Sequence, residues 1–168
     1  ARRLPHGHER IERWATPDGD HLSIARTGTI AEGRPHLLVL HGLEGSTSST
    51  YAQGLLAKAK SRGWSADLML FRGCDGTINN QRRMYHSGET TDLDFAVRTL
   101  VAQHPDIQLH LVGVSLGGNV LVKWLGEQGE SLVSNVDRAA GVSVPYDLAA
   151  GSRHLECLLG QKYVDYFM

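Results

Sequence analysis

One serine in this sequence stands apart by its neighbours: Gly113-Val114-Ser115-Leu116-Gly117, followed by Gly118. A hydroxyl at its ordinary pKa is a weak nucleophile, so a serine that attacks an acyl carbon must be well exposed and served by a base. A Gly-x-Ser-x-Gly run achieves the exposure when it forms a sharp turn from strand to helix. Such a turn strains the serine backbone and crowds the residues two places away, which explains glycine at both Gly113 and Gly117. Gly118 lets the following helix approach the sheet. The pattern by itself is weak. Its setting adds the specificity, because apolar Leu109, Leu111 and Val112 precede it and the helical stripe Val120, Leu121, Trp124, Leu125 follows.

A second run, His41-Gly42-Leu43-Glu44-Gly45, follows another apolar strand. Paired with the serine turn, it could supply an oxyanion hole made of the backbone N–H groups of Leu43 and Leu116, with a helix N-terminus assisting at Leu116. The competing reading is a phosphate loop, since Gly42 to Thr47 is glycine-rich. It lacks the required lysine, and Glu44 would repel phosphate. No dinucleotide fingerprint follows either strand. His41 reads as a structural strand end. His6-Gly7-His8 has no neighbouring carboxylate or cysteine and reads as a polar tail, so no metal site is expected. Cys74, close to Arg72, could be a lowered-pKa thiol, but a small, partly buried loop residue is the plainer reading.

These residues need elements to position them. Ile11 to Thr27 reads as a hairpin around Thr16-Pro17-Asp18-Gly19-Asp20. His36 to His41 is apolar on both faces, as in a parallel strand covered by helices. Ala52, Leu55, Leu56 and Ala59 fall at helical spacing before Gly63; Trp64 to Phe71 is a strand; Arg72 to Gly88 is a polar loop. Leu93, Ala96, Val97, Leu100 and Val101 mark a second helix, with Asp92 and Asp94 placed to suit its dipole. Ile107 to Val114 and Val136 to Val144 are strands on either side of the helix after Ser115. The alternation predicts a doubly wound, mostly parallel α/β sheet.

Composition narrows the function classes. The 168 residues are 41% hydrophobic and 21% charged, enough apolar content for one packed domain. Lys plus Arg total 17 against 18 Asp plus Glu, so nucleic acid is not an expected partner. No run approaches the ~20 apolar residues of a membrane span, and the start of the chain has no apolar signal region. Two widely spaced cysteines fit a reduced, cytoplasmic setting. Oligomeric state is left open.

Together, His41-Gly42-Leu43-Glu44-Gly45, Phe71-Arg72-Gly73-Cys74, Tyr85-His86-Ser87-Gly88-Glu89-Thr90 and Gly113 to Asn119 resemble the YheT-like branch of the α/β-hydrolase superfamily, from about Leu22 onward. The resemblance implies an α/β-hydrolase fold, of which this chain carries the N-terminal portion. It also implies a serine hydrolase of carboxylic esters, short-chain or acylglycerol, with a Ser-Asp-His triad and no metal or organic cofactor. A helical cap would follow the sixth core strand. Residues 1–144 would then be core and 145–168 the start of the cap, with Val144 to Leu148 leading in and Arg153 to Met168 its first helix. The loop Asp75 to Met84 departs from the proline-rich form of relatives. His86 is taken as a polar anchor packing that loop.

In this fold the acid and histidine follow the serine on later strands. After Ser115 the only histidine is His154. Asp147 precedes it in the right order but too closely for the two to end different strands. The acid and base are therefore expected outside this chain, leaving it insoluble or nearly inactive alone, with Val136–Val144 as an unprotected edge. The rival class is a non-catalytic α/β-hydrolase-like protein that binds a ligand or partner on the same scaffold.

Overall fold

Strands form where apolar residues run without a break, and helices where they recur every third or fourth position. The computed structural model describes residues 8–155. The elements are β1 (Arg10–Ala15), β2 (His21–Thr27), β3 (Pro35–Leu40), α1 (Thr50–Ser61), β4 (Ser65–Leu70), α2 (Thr91–Gln103), β5 (Gln108–Val114), α3 (Leu116–Gln128), β6 (Val136–Val142) and α4 (Leu148–Leu155), with a 3-10 turn at Gly129–Ser131. The six strands lie in the order β1-β2-β4-β3-β5-β6. The last four in that order are mutually parallel, and β1 and β2 run antiparallel at one side. This is the doubly wound, mostly parallel α/β sheet that the sequence predicts.

The alternation of side chains along β3 divides the core in two. Leu37 and Val39 pack with Ala52, Leu56 and Ala59 of α1 on one face. Leu38 and Leu40 pack on the other with Leu93 and Leu100 of α2 and Val120, Leu121 and Trp124 of α3. Full burial of a side chain such as Leu38 is worth about 1.5–3 kcal/mol. Because α1 leaves β3 towards one face and α3 leaves β5 towards the other, the carboxyl ends of these neighbouring strands flank a topological switch point, where open α/β sheets bind ligands.

Local boundaries differ from the sequence reading by more than one residue in two places. The last strand ends at Val142, earlier than Val144, because Ser143 takes φ 52° and turns the chain. The helix expected from Arg153 begins at Leu148, where the Asp147 carboxylate accepts the Ala150 N–H at 2.7 Å, as an N-cap does. That signal was present in Asp147 followed by Leu-Ala-Ala. Residues 156–168 of the expected cap helix lie outside the described residues. β6 is the outer strand of the described sheet and is largely exposed.

Candidate active site

The loop after β3 and the turn after β5 meet backbone to backbone. A Cβ on Gly117 would stand 2.4 Å from the His41 carbonyl oxygen and 2.6 Å from that of Leu40. One on Gly113 would stand 2.4 Å from the Gly117 oxygen, and one on Gly118 would meet Val144 Cγ2 at 2.7 Å. No real Cβ tolerates the first two contacts, so Gly113 and Gly117 are fixed by geometry. Between them Ser115 takes φ 52° and ψ −117°, a region that costs an L-residue about 1–3 kcal/mol. Its N–H donates to Val142 O at 2.8 Å and its carbonyl accepts the Asn119 N–H at 3.1 Å, which holds the strained turn. Asn119 Nδ2 donates to Pro145 O at 2.6 Å, tying α3 to the segment after β6. Among the described residues, Glu44, Ser115 and Ser143 are the non-glycine residues with positive φ. Each follows the carboxyl end of one of three adjacent strands, so backbone strain collects at one end of the sheet.

The His41–Gly45 loop is as tightly held. The Gly42 N–H donates to Tyr51 Oη at 2.8 Å, the Glu44 N–H to Tyr85 Oη at 3.0 Å and the Gly45 N–H to Gly42 O at 3.0 Å. The Leu43 N–H has no acceptor among the described residues, and neither does that of Leu116 at the start of α3. Leu43, Leu116 and Ser115 line one cleft of about 450 Å³ with Ser87, Pro145, Leu148, Gly151 and Ser152. A larger cleft of about 620 Å³ lies against the 16–18 turn and α2 and includes none of these residues.

His41 is not placed to serve the serine. Its Nε2 accepts the Phe71 N–H at 3.1 Å, so Nδ1 carries the proton and donates to Gly42 O at 2.7 Å. Burial pushes its pKa down to about 4, so the ring is neutral at pH 7. No histidine or carboxylate among the described residues bonds to the Ser115 hydroxyl, and Asp147 is occupied in capping α4. Burial pushes the Cys74 thiol up, opposite to the shift a reactive thiolate needs. The exposed His86 ring accepts the Gly88 N–H of its own turn at 3.1 Å, a polar contact local to the end of the loop. Of the possible metal pair, His6 lies outside the described residues, and these contain no cluster of three or more His, Cys, Asp or Glu that could hold a metal ion.

Sequence reasoning singled out the Tyr85–Thr90 block without finding its work. Tyr85 grips Glu44; Ser87 lines the cleft; Glu89 accepts the Thr91 N–H at 2.7 Å and pairs with Arg83; the Thr90 hydroxyl donates to Glu127 on α3 at 2.6 Å. The arginine in Phe71-Arg72-Gly73 is a buried hub. Its Nε and Nη2 each donate to Asp92 at 2.8 Å, and Nη1 lies 3.0 Å from Asp18 and 3.2 Å from Asp20.

Strand order, switch point and the glycine-flanked serine turn are those of the α/β-hydrolase fold. No family model matches the chain. It is 42% identical over 159 residues to YheT of Escherichia coli (strain K12), which covers 94% of this chain and 46% of YheT. It is 27% identical over 118 residues to the monoacylglycerol lipase of Saccharomyces cerevisiae, covering 70% of this chain and 26% of the lipase. The solved structure of the Pyrococcus furiosus esterase Pf2001 superposes with a TM-score of 0.68 at 21% identity, covering 89% of this chain and 56% of that one. The chain is similar in sequence to the YheT-like branch of the α/β-hydrolase superfamily, and it spans less than half the length of these two curated relatives. No helix among the described residues is long and apolar enough to cross a membrane.

Proposed function

We propose that the protein carrying this chain is a serine hydrolase of carboxylic esters, with short-chain or acylglycerol esters as its substrates and no metal or organic cofactor. Ser115 Oγ attacks the ester carbonyl carbon and the carbonyl π pair moves onto oxygen. The N–H groups of Leu43 and Leu116 receive that charge. The serine proton passes to a histidine base, oriented by a carboxylate, both supplied from outside the described residues. The alcohol then leaves with a proton, and water hydrolyses the acyl-enzyme. Residues 1–144 act as core, and 145–168 begin the cap.

The observation that carries this reading is the strain on Ser115, positive in φ between two glycines that admit no Cβ. A protein that only binds a ligand has no chemical need for that turn. The apolar lining from Leu43, Leu116, Pro145 and Leu148 suits an acyl chain, and a relative named monoacylglycerol lipase favours an ester substrate. The rival reading, a non-catalytic binding scaffold, draws on the lack of a base bonded to Ser115 among the described residues. Turnover of p-nitrophenyl butyrate by the complete protein, abolished in Ser115→Ala, is the expected result. A complete, folded protein that turns over no ester favours the scaffold.

A further inference from the structure

We propose that Tyr85, outside the serine turn and outside the loop it grips, is a positioning residue that fixes the Leu43 N–H for catalysis. The inference rests on the reading of Ser115 as nucleophile and adds a residue to it.

The peptides on both sides of Leu43 are pinned. In the one before it, Gly42 O accepts from His41 Nδ1 at 2.7 Å and from the Gly45 N–H at 3.0 Å. A trans peptide is planar, with its N–H directed opposite its C=O, so these two bonds aim the Leu43 N–H away from His41 and Gly45. In the peptide after Leu43, the Glu44 N–H donates to Tyr85 Oη at 3.0 Å. The same phenol donates to Glu44 Oε1 at 2.6 Å, so one side chain holds both the backbone and the carboxylate of Glu44. That two-point grip falls on a residue with φ 52°, where an L-residue stays only if its surroundings keep it.

Tyr85 is itself held. Its ring stacks on Phe71 with centroids 5.2 Å apart and planes 7° from parallel, and His41 meets Phe71 edge-on at 4.8 Å. Phe71 N–H in turn donates to His41 Nε2. A closed ring of contacts thus runs from loop to Tyr85 to Phe71 to His41 and back to the loop. Losing the phenol oxygen frees Glu44 to leave its strained conformation and lets the peptides around Leu43 rotate. An oxyanion donor displaced by about 1 Å costs on the order of 100-fold in rate.

The test measures kcat and KM for p-nitrophenyl butyrate in the complete protein. Tyr85→Phe keeps the ring stack and loses only the oxygen. Its kcat is expected to fall about 10- to 100-fold, with KM within about twofold and the circular dichroism spectrum unchanged. Glu44→Ala is expected to reproduce the loss, and Glu44→Gln, which keeps an acceptor for the phenol, to recover most of it. A Tyr85→Phe protein with kcat within about threefold of the parent, beside an inactive Ser115→Ala, overturns the role of Tyr85 and leaves the nucleophile standing. Undiminished turnover by Ser115→Ala overturns both. If Tyr85→Phe fails to fold, the two Glu44 variants decide, and equal kcat in Glu44→Ala and the parent overturns the proposal.

Discussion

Two regions at the same end of the sheet are held by opposite means. At the carboxyl ends of β3 and β5, backbone lies against backbone, the glycines admit no Cβ, and the one histidine is neutral. At the neighbouring end of β2 and β4, Arg72 and Arg83 are packed among Asp18, Asp20, Asp92 and Glu89. The difference follows from what each region must hold still. On the proposed reading of Leu43 and Leu116 as oxyanion donors, backbone N–H groups aimed at a developing charge are not placed by flexible side chains alone, and close approach of strands and turns sets them. A long polar loop beside a hairpin turn has little apolar area to bury, so charge pairs anchor it.

The comparison breaks most sharply at Gly117. Gly117→Ala forces a Cβ to within 2.4 Å of the His41 oxygen and is expected to cost about 4 kcal/mol or more, or to prevent folding. Gly126, further along the same helix, has nothing within 4 Å of a would-be Cβ. Gly126→Ala is expected to stabilise by ~1 kcal/mol through helix propensity. Urea unfolding of the two variants would refute the backbone account if they behaved alike.

In the charged region, Asp92→Ala strands a buried guanidinium with only Asp18 and Asp20 beside it. A loss of about 3 kcal/mol is expected, with a change below ~1 kcal/mol showing that the hub is dispensable. The expected effect of pH is of similar size and separates the two regions. Burial lowers His41 from 6.5 to about 4, so as pH falls the unfolded chain takes up this proton first. The stability tied to His41 is complete above pH ~6.5 and is lost between there and pH ~4, by about 3 kcal/mol. The Thr16 hydroxyl and then Arg72 hold Asp18 down at about 2, so its contribution survives to pH ~3.8 and is lost by pH ~2. Lowered carboxylates such as Glu89 add their own slope below about pH 5, so unfolding followed from pH 7 to 5 should slope in the parent and be much flatter in His41→Gln; parallel curves would contradict the assignment.

The two regions also differ in how far they could be read in advance. The serine turn was legible because its constraint is local: glycine two places either side of a serine, between an apolar strand and a helical stripe. The core strands were legible for the same reason, as with β3, whose unbroken apolar run is buried on both faces. Arg72 and Asp92 were visible only as a loop residue and a helix-dipole partner. Their bidentate pairing joins positions 20 apart in the chain, which no local pattern reports. The grip of Tyr85 on Glu44 spans 41 positions. The place of His41 at a strand end suggests a structural residue, but its tie to the Phe71 amide depends on β3 and β4 lying side by side.

The central claim is that the strained serine is an activated nucleophile. The most direct measurement is fluorophosphonate labelling of the complete protein, followed by mass mapping of the adduct. A single adduct on the peptide containing Ser115, absent from Ser115→Ala, is the predicted result. An unlabelled native protein, or an adduct that persists in Ser115→Ala, would contradict the claim.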